Sequence, residues 1–152
     1  MHGNYMEDIV RREKSYEFRR YRLAPSVQRI WFYLTAPRSH IAYICEIDPA
    51  RTRAAVDAPL PEDGMLGNAE FNSVRGGEWT GYDYAYRVRS VWRVKEAIGL
   101  TEMKKAYGIG GAPRGMVYVP EGMKAAVVWN EQECVWDEAE TRGLSECLRA
   151  GT

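Results

Sequence analysis

The chain has 152 residues, with 21 basic and 21 acidic side chains and two histidines. Its hydrophobic fraction of 45% and charged fraction of 28% exclude a disordered or fibrous chain, and its length suits a single domain, residues 1–152, with a core that needs no disulfide or metal staple. No apolar run approaches the roughly 20 residues of a membrane helix, and Met1–Val10 carries acids without an apolar core, so no secretory signal is expected there. Cys45, Cys134 and Cys147 are an odd, widely spaced set, which points to a reducing intracellular setting, cytoplasmic or nuclear. His2 and His40 are too isolated for a metal site, and neither a metal nor a cofactor is expected. The zero net charge hides blocks: Arg11–Arg38 sums to +6, Glu46–Glu70 to −4, Phe71–Pro120 to +4 and Glu121–Thr152 to −4. Such blocks suit a basic face for an anionic partner, or simply neutralise one another in the fold.

In chain order, Glu7–Glu13 is expected to be a short helix with Asn4 as its cap. Tyr16–Leu23 is expected to be a strand that Pro25 ends. Gln28–Thr35 is rich in aromatic and β-branched residues, a strong strand signal. In it Ile30, Phe32 and Leu34 share one face, and Arg29, Trp31 and Tyr33 the other. Ile41–Ile47 is almost wholly apolar and suits a strand buried on both faces. Asp48–Thr80 is punctuated by prolines and glycines and reads as an irregular excursion with one helical turn near Ala50–Val56. Tyr82–Lys95 alternates clearly, with Tyr82, Tyr84, Tyr86, Val88, Trp92 and Val94 opposite Asp83, Arg87, Arg89, Arg93 and Lys95.

Leu100–Tyr107 follows as a helix capped by Thr101 and stopped by Gly108. Arg114–Val119 and Ala125–Trp129 are expected to be short strands, and Glu138–Ala150 a terminal helix. Strands outnumber helices and no βαβ alternation occurs. The expected class is therefore α+β, a partly closed barrel of five or six strands decorated by short helices.

No phosphate-cradling loop, dinucleotide fingerprint or nucleophile elbow is present, and two histidines cannot supply a serine–histidine–acid set. Cys45 sits in an apolar strand, where burial raises a thiol's pKa, so it reads as core packing. The segment Lys14-Ser15-Tyr16-Glu17-Phe18-Arg19-Arg20 stands out. If Tyr16 and Phe18 anchor in the core, Glu17 and Arg19 point together the other way. With Lys14 they offer two cations and one acceptor for a phosphate or a polar base edge. A surface ion-pair cluster of no consequence is the plainer alternative.

Arg12-Glu13-Lys14-Ser15-Tyr16-Glu17-Phe18-Arg19 resembles the G-x-K-x-x-E-x-R signature of ASCH domains in the PUA-like superfamily. The two apolar strands after it, Phe71-Asn72, the tyrosine-rich strand, the Leu100–Gly108 helix and Ala112-Pro113-Arg114-Gly115 followed by Tyr118 keep the family's order. The likeness covers about residues 6–120 and leaves 121–152 as an acidic extension. Arg12 stands where the motif has glycine, and the chain begins almost at the helix before the motif, without the usual opening strand.

The resemblance implies a PUA-like barrel whose cleft is bordered by Lys14, Glu17 and Arg19. RNA, another single-stranded nucleic acid or a modified nucleoside would be its ligand. Arg20, Tyr33, Arg87, Arg89 and Arg114 are the accompanying contacts, and Trp31 and Tyr33 are stacking candidates. The resemblance also implies an alternative, a small amidohydrolase of the acetylated-cytidine type or a nuclease, with Lys14 acting beside Glu17 and Glu46 as a second acid. Glu17 stands where that amidohydrolase type has threonine. A protein-interaction adaptor is the third reading.

Overall fold

The structure is a computed structural model that describes residues 1–139 apart from Ala55 and residues 74–76. Five antiparallel strands form an open sheet: β1 (Tyr16–Arg19), β2 (Arg29–Leu34), β3 (His40–Ile47), β4 (Tyr84–Gly99) and β5 (Glu133–Asp137). The order is β1-β4-β3-β2, and β5 also pairs with β4. β4 is the spine. One of its edges carries β3 from Val88 to Gly99, and the other carries β1 along Tyr84–Arg87 and then β5 along Ser90–Arg93. Among the described residues, the sheet is decorated by α1 (Gly3–Val10), α2 (Asn68–Asn72), α3 (Leu100–Tyr107) and α4 (Glu121–Ala126). Among the described residues no helix is long and apolar enough to cross a membrane.

The core divides by sheet face. Phe32, Leu34, Cys45, Ile47, Tyr86, Val88 and Val91 form one cluster with Met6 and Ile9 of α1. Tyr33, Ile41, Ile44, Val94 and Ile98 form a second with Met103 of α3 and Met123 of α4. Tyr16, Phe18, Leu60, Phe71 and Ala85 form a third. Each fully buried large side chain contributes about 1.5–3 kcal/mol. β3 is buried on both faces, as its almost wholly apolar run requires.

β2 is buried on both faces too. Tyr33 lies in the second cluster with Trp31 against it, so neither points away into solvent. The alternation of β4 also changes sides midway. Tyr86 and Val88 share the first cluster with Val91, whereas Trp92 and Val94 serve the second. A register shift against β3 marks the change: Glu46 and Ile47 pair with Ser90 and Val88, which leaves Arg89 as an extra residue in β4, and an extra residue in a strand exchanges its faces.

Several local expectations are corrected. α1 begins earlier, at Gly3, with the His2 side chain accepting from the Asn4 backbone amide in the capping role expected of Asn4. α3 spans the expected residues, but Gly99, with extended backbone, is its cap in place of Thr101. Among the described residues of 50–56 no helical turn forms, and Arg51 instead bridges to Ala85 through reciprocal backbone hydrogen bonds. Residues 114–119 are irregular and α4 covers Ala125 and Ala126, so neither expected strand exists there. Their apolar residues pack on the second cluster rather than adding to the sheet. The expected terminal helix falls almost wholly outside the described residues.

Candidate functional site

The corner between α1 and β1 sets the site. Arg12 ends α1 in the left-handed conformation, φ 62°. The glycine of the motif would adopt that geometry freely, and here arginine does so. The backbone amides of Glu13 and Lys14 both donate to the carbonyl of Asp8, and Val88 N–H donates to Ser15 O, which fixes the entry of β1 against β4. β1 then alternates. Tyr16 and Phe18 enter the third cluster, so Glu17 and Arg19 face the other way.

Glu17 is buried, and its carboxylate is shared by two cations. Oε2 accepts from Lys14 Nζ at 3.2 Å, and Oε1 meets Arg19 Nε at 3.0 Å. The Lys14 ammonium also lies 5.3 Å from the Phe18 ring centre and 5.7 Å from that of Tyr5. In register Glu17 stands opposite Tyr86, whose side chain lies in the same cluster as Cys45. Burial pushes the Cys45 thiol well above its ordinary pKa, and the nearby Glu17 charge raises it further. Cys45 is therefore an inert core residue.

The two cations serve different cavities. Arg19 borders one of about 550 Å³, which runs along β2 to α3, α4 and the 113–129 segment. Its walls include Tyr21, Trp31, Tyr33, Tyr118 and Trp129, with Arg29 and Lys124 among them. The Arg29 guanidinium lies 4.5 Å from the Trp129 ring centre, and Trp92 meets Trp129 edge-on at 5.2 Å. Lys14 borders a second cavity of about 490 Å³, together with Arg12, Arg51, Arg87 and Trp136.

The other sequence candidates separate. Tyr33 lines the aromatic cavity and Arg87 the basic one, where Arg87 also bonds Glu138. Arg89 pairs with Asp48 at 2.8 Å and Glu46 at 3.6 Å, so Glu46 is engaged there rather than beside Lys14. Arg20 is exposed, with its guanidinium 4.7 Å from the Tyr82 ring centre. Arg114 is exposed and lines neither cavity, although its neighbours Pro113 and Gly115 line the aromatic one. Trp79 is pinned edge-on to Phe18 at 5.0 Å. Among the described residues no group of three or more His, Cys, Asp or Glu side chains forms a metal-holding cluster.

Sequence reasoning missed Arg29, Tyr21, Trp129 and Arg51. The aromatic cavity draws its wall from 113–129, a segment read as strands, and no local pattern in that segment marks a wall.

Three crystal structures of the ASCH protein of Zymomonas mobilis match with probability 1.00. The unsubstituted protein is 15% identical with TM-score 0.57, covering 84% of this chain and 92% of that one. A serine-to-alanine variant is 20% identical with TM-score 0.57, covering 84% and 90%. A tyrosine-to-phenylalanine variant is 17% identical with TM-score 0.56, covering 84% and 92%.

This chain has the ASCH fold.

The match extends over most of both chains. No protein-family model and no curated protein sequence matches the chain. Within the ASCH fold, the Lys14–Glu17–Arg19 triad is the element of the signature that the structure brings into direct contact.

Proposed function

We propose that this ASCH-fold protein binds RNA or another single-stranded nucleic acid, or a nucleotide-like ligand, by taking an unpaired base into the aromatic cavity. The observation that carries this reading is the composition of that cavity. Half-buried Trp31 and Trp129 line a space of about 550 Å³ that Arg19, Arg29 and Lys124 also border. A base stacked on an aromatic side chain gains ~1–3 kcal/mol, and cations beside it can meet the adjoining phosphates. Arg19 is preorganised for this role, since Glu17 fixes its guanidinium at 3.0 Å.

A hydrolase is the second reading, and one observation favours it: Lys14 and Glu17 are 3.2 Å apart, an amine beside a carboxylate. Binding is preferred because Lys14 borders the basic cavity rather than the aromatic one.

The test is fluorescence anisotropy with short labelled single-stranded RNA and DNA at two salt concentrations. Binding should weaken with salt by ~0.7 in log K per log salt for each phosphate contact. Trp31→Ala should cost ~1–3 kcal/mol of affinity. Failure to bind any oligonucleotide, or affinity indifferent to Trp31→Ala, contradicts the proposal. Turnover of acetylated cytidine that Lys14→Ala abolishes would move the reading to a hydrolase.

A further inference from the structure

The basic cavity is not needed by the aromatic one and has its own chemistry. Its walls come from Arg12–Tyr16, Arg51, the Pro61–Met65 stretch, Arg87 and Val88 of β4, and Trp136 of β5. Four cations line it, Arg12, Lys14, Arg51 and Arg87, against the acids Asp63 and Glu138, so four minus two leaves an excess of +2. Glu138 is committed to Arg87. Glu17 draws Lys14 from outside the lining but divides its single charge between Lys14 and Arg19.

Two guanidiniums form no ion pair with a carboxylate among the described residues, although the Arg51 charge helps to lower the Asp57 pKa. Arg51 donates to Tyr16 Oη at 2.9 Å and to the carbonyls of Ala58 and Pro59. Arg12 lies 4.4 Å from the Trp136 ring centre, a contact that uses its face and leaves its N–H edge for a ligand. Its backbone holds a conformation that glycine takes most readily, so the sequence keeps a guanidinium where the fold alone would favour none. The Ser15 hydroxyl belongs to the same wall.

We propose that this cavity is a phosphate-binding site, separate from the aromatic cavity, in which Arg12, Arg51 and Lys14 receive a phosphoryl group. A charge near −2 compensates the excess, and planar guanidinium edges match phosphate oxygens in pairs. The proposal does not depend on what fills the aromatic cavity.

The Trp136 indole, which donates to Ile9 O at 3.3 Å, is a built-in reporter beside Arg12. Its ¹⁵N–¹H signal, assigned with Trp136→Phe, is followed during titration with inorganic phosphate, ribose 5-phosphate and an oligonucleotide lacking terminal phosphates. A saturable shift is expected, and the probe acting at the lowest concentration tells free phosphate from a monoester or a backbone diester. Arg12→Gly, which relaxes the left-handed position, should weaken that binding about tenfold or more, in line with loss of a charge-assisted hydrogen bond. Arg12→Asn, tolerated in the same conformation, serves as a second variant, and unchanged unfolding midpoints establish that both remain folded. Trp31→Ala should leave phosphate binding intact. The proposal is overturned if no probe gives a saturable shift, if both Arg12 variants bind as well as wild type, or if Trp31→Ala abolishes the response.

Discussion

The aromatic and basic cavities are bridged by one carboxylate and built from different material. The aromatic cavity combines β2 with chain some 80 residues later, and its surface sets rings and a few cations among aliphatic side chains. The basic cavity carries three guanidiniums and a lysine among its twelve lining residues, each already hydrogen-bonded or stacked. The first suits a flat, weakly polar group and the second a compact anion. Glu17 lines neither, yet it holds Arg19 toward one and Lys14 toward the other. The difference teaches that a signature's residues can form one ion-paired unit while its two cations border separate cavities.

The largest expected effect comes from removing that junction. Glu17→Gln leaves Lys14 and Arg19 as neighbouring cations, largely shielded from water and without their shared counter-charge. Breaking a buried pair in this way costs about 3–5 kcal/mol, and because the two cations keep some exposure (12% and 24%) we place the loss at about 3 kcal/mol. Urea unfolding of the variant measures it. A loss below about 1 kcal/mol would mean that the triad behaves as a surface pair.

A smaller effect should loosen one cavity only. Tyr86 Oη donates to Tyr21 O at 2.9 Å and accepts from Leu23 N–H at 2.7 Å, which ties a wall of the aromatic cavity to β4. Tyr86→Phe leaves a buried backbone donor unmatched, at a cost of about 1–3 kcal/mol. It should weaken the aromatic cavity's ligand and spare the basic one. Burial raises the Tyr86 pKa, outweighing the lowering by Leu23 N–H. A folded pKa above the unfolded value means that stability is present below pH ~10 and falls as pH rises further. Stability curves from pH 9 to 11.5 should therefore flatten in Tyr86→Phe, and identical curves would exclude this tie.

The smallest effect lies beside the basic cavity. Asp57 is held below its usual pKa, first by the Thr52 backbone N–H and then by the Thr52 hydroxyl. A depressed carboxylate gives stability that is present above the unfolded pKa, near 3.9, and lost as pH falls through the folded one. Asp57→Asn should remove a shallow acid-side slope in thermal unfolding and leave the midpoint at pH 7 little changed. An unchanged acid slope would show that the Thr52–Asp57 turn contributes nothing.

Much of the basic side was legible from residues near each other in the chain. The alternation of Tyr16, Phe18 and their neighbours put Glu17 and Arg19 on one face, and Lys14 lies close enough to share the carboxylate. β3 and α3 followed from an almost wholly apolar run and a glycine stop. The aromatic side was far less legible. Met116–Val119 and Val127–Trp129 are apolar for the sake of a cavity wall and the second core cluster, a demand that looks in sequence like a strand's. β5 was hidden because Glu133–Asp137 is short, bounded by acids, and defined by pairing with β4 rather than by its own pattern. The face change between Val88 and Ser90 arises from the register against β3, and side-chain types do not record register.

One titration tests the central claim most directly. The chain has five tryptophans: Trp31 and Trp129 line the aromatic cavity, Trp92 backs Trp129, Trp136 lines the basic cavity and Trp79 packs on Phe18. A ¹⁵N–¹H spectrum of their indoles, recorded while a short single-stranded RNA is added, reads every region at once. We expect the Trp31 and Trp129 signals to move together and saturate while Trp79 stays still. Saturating binding that leaves Trp31 and Trp129 unmoved would contradict the claim that the aromatic cavity receives the base.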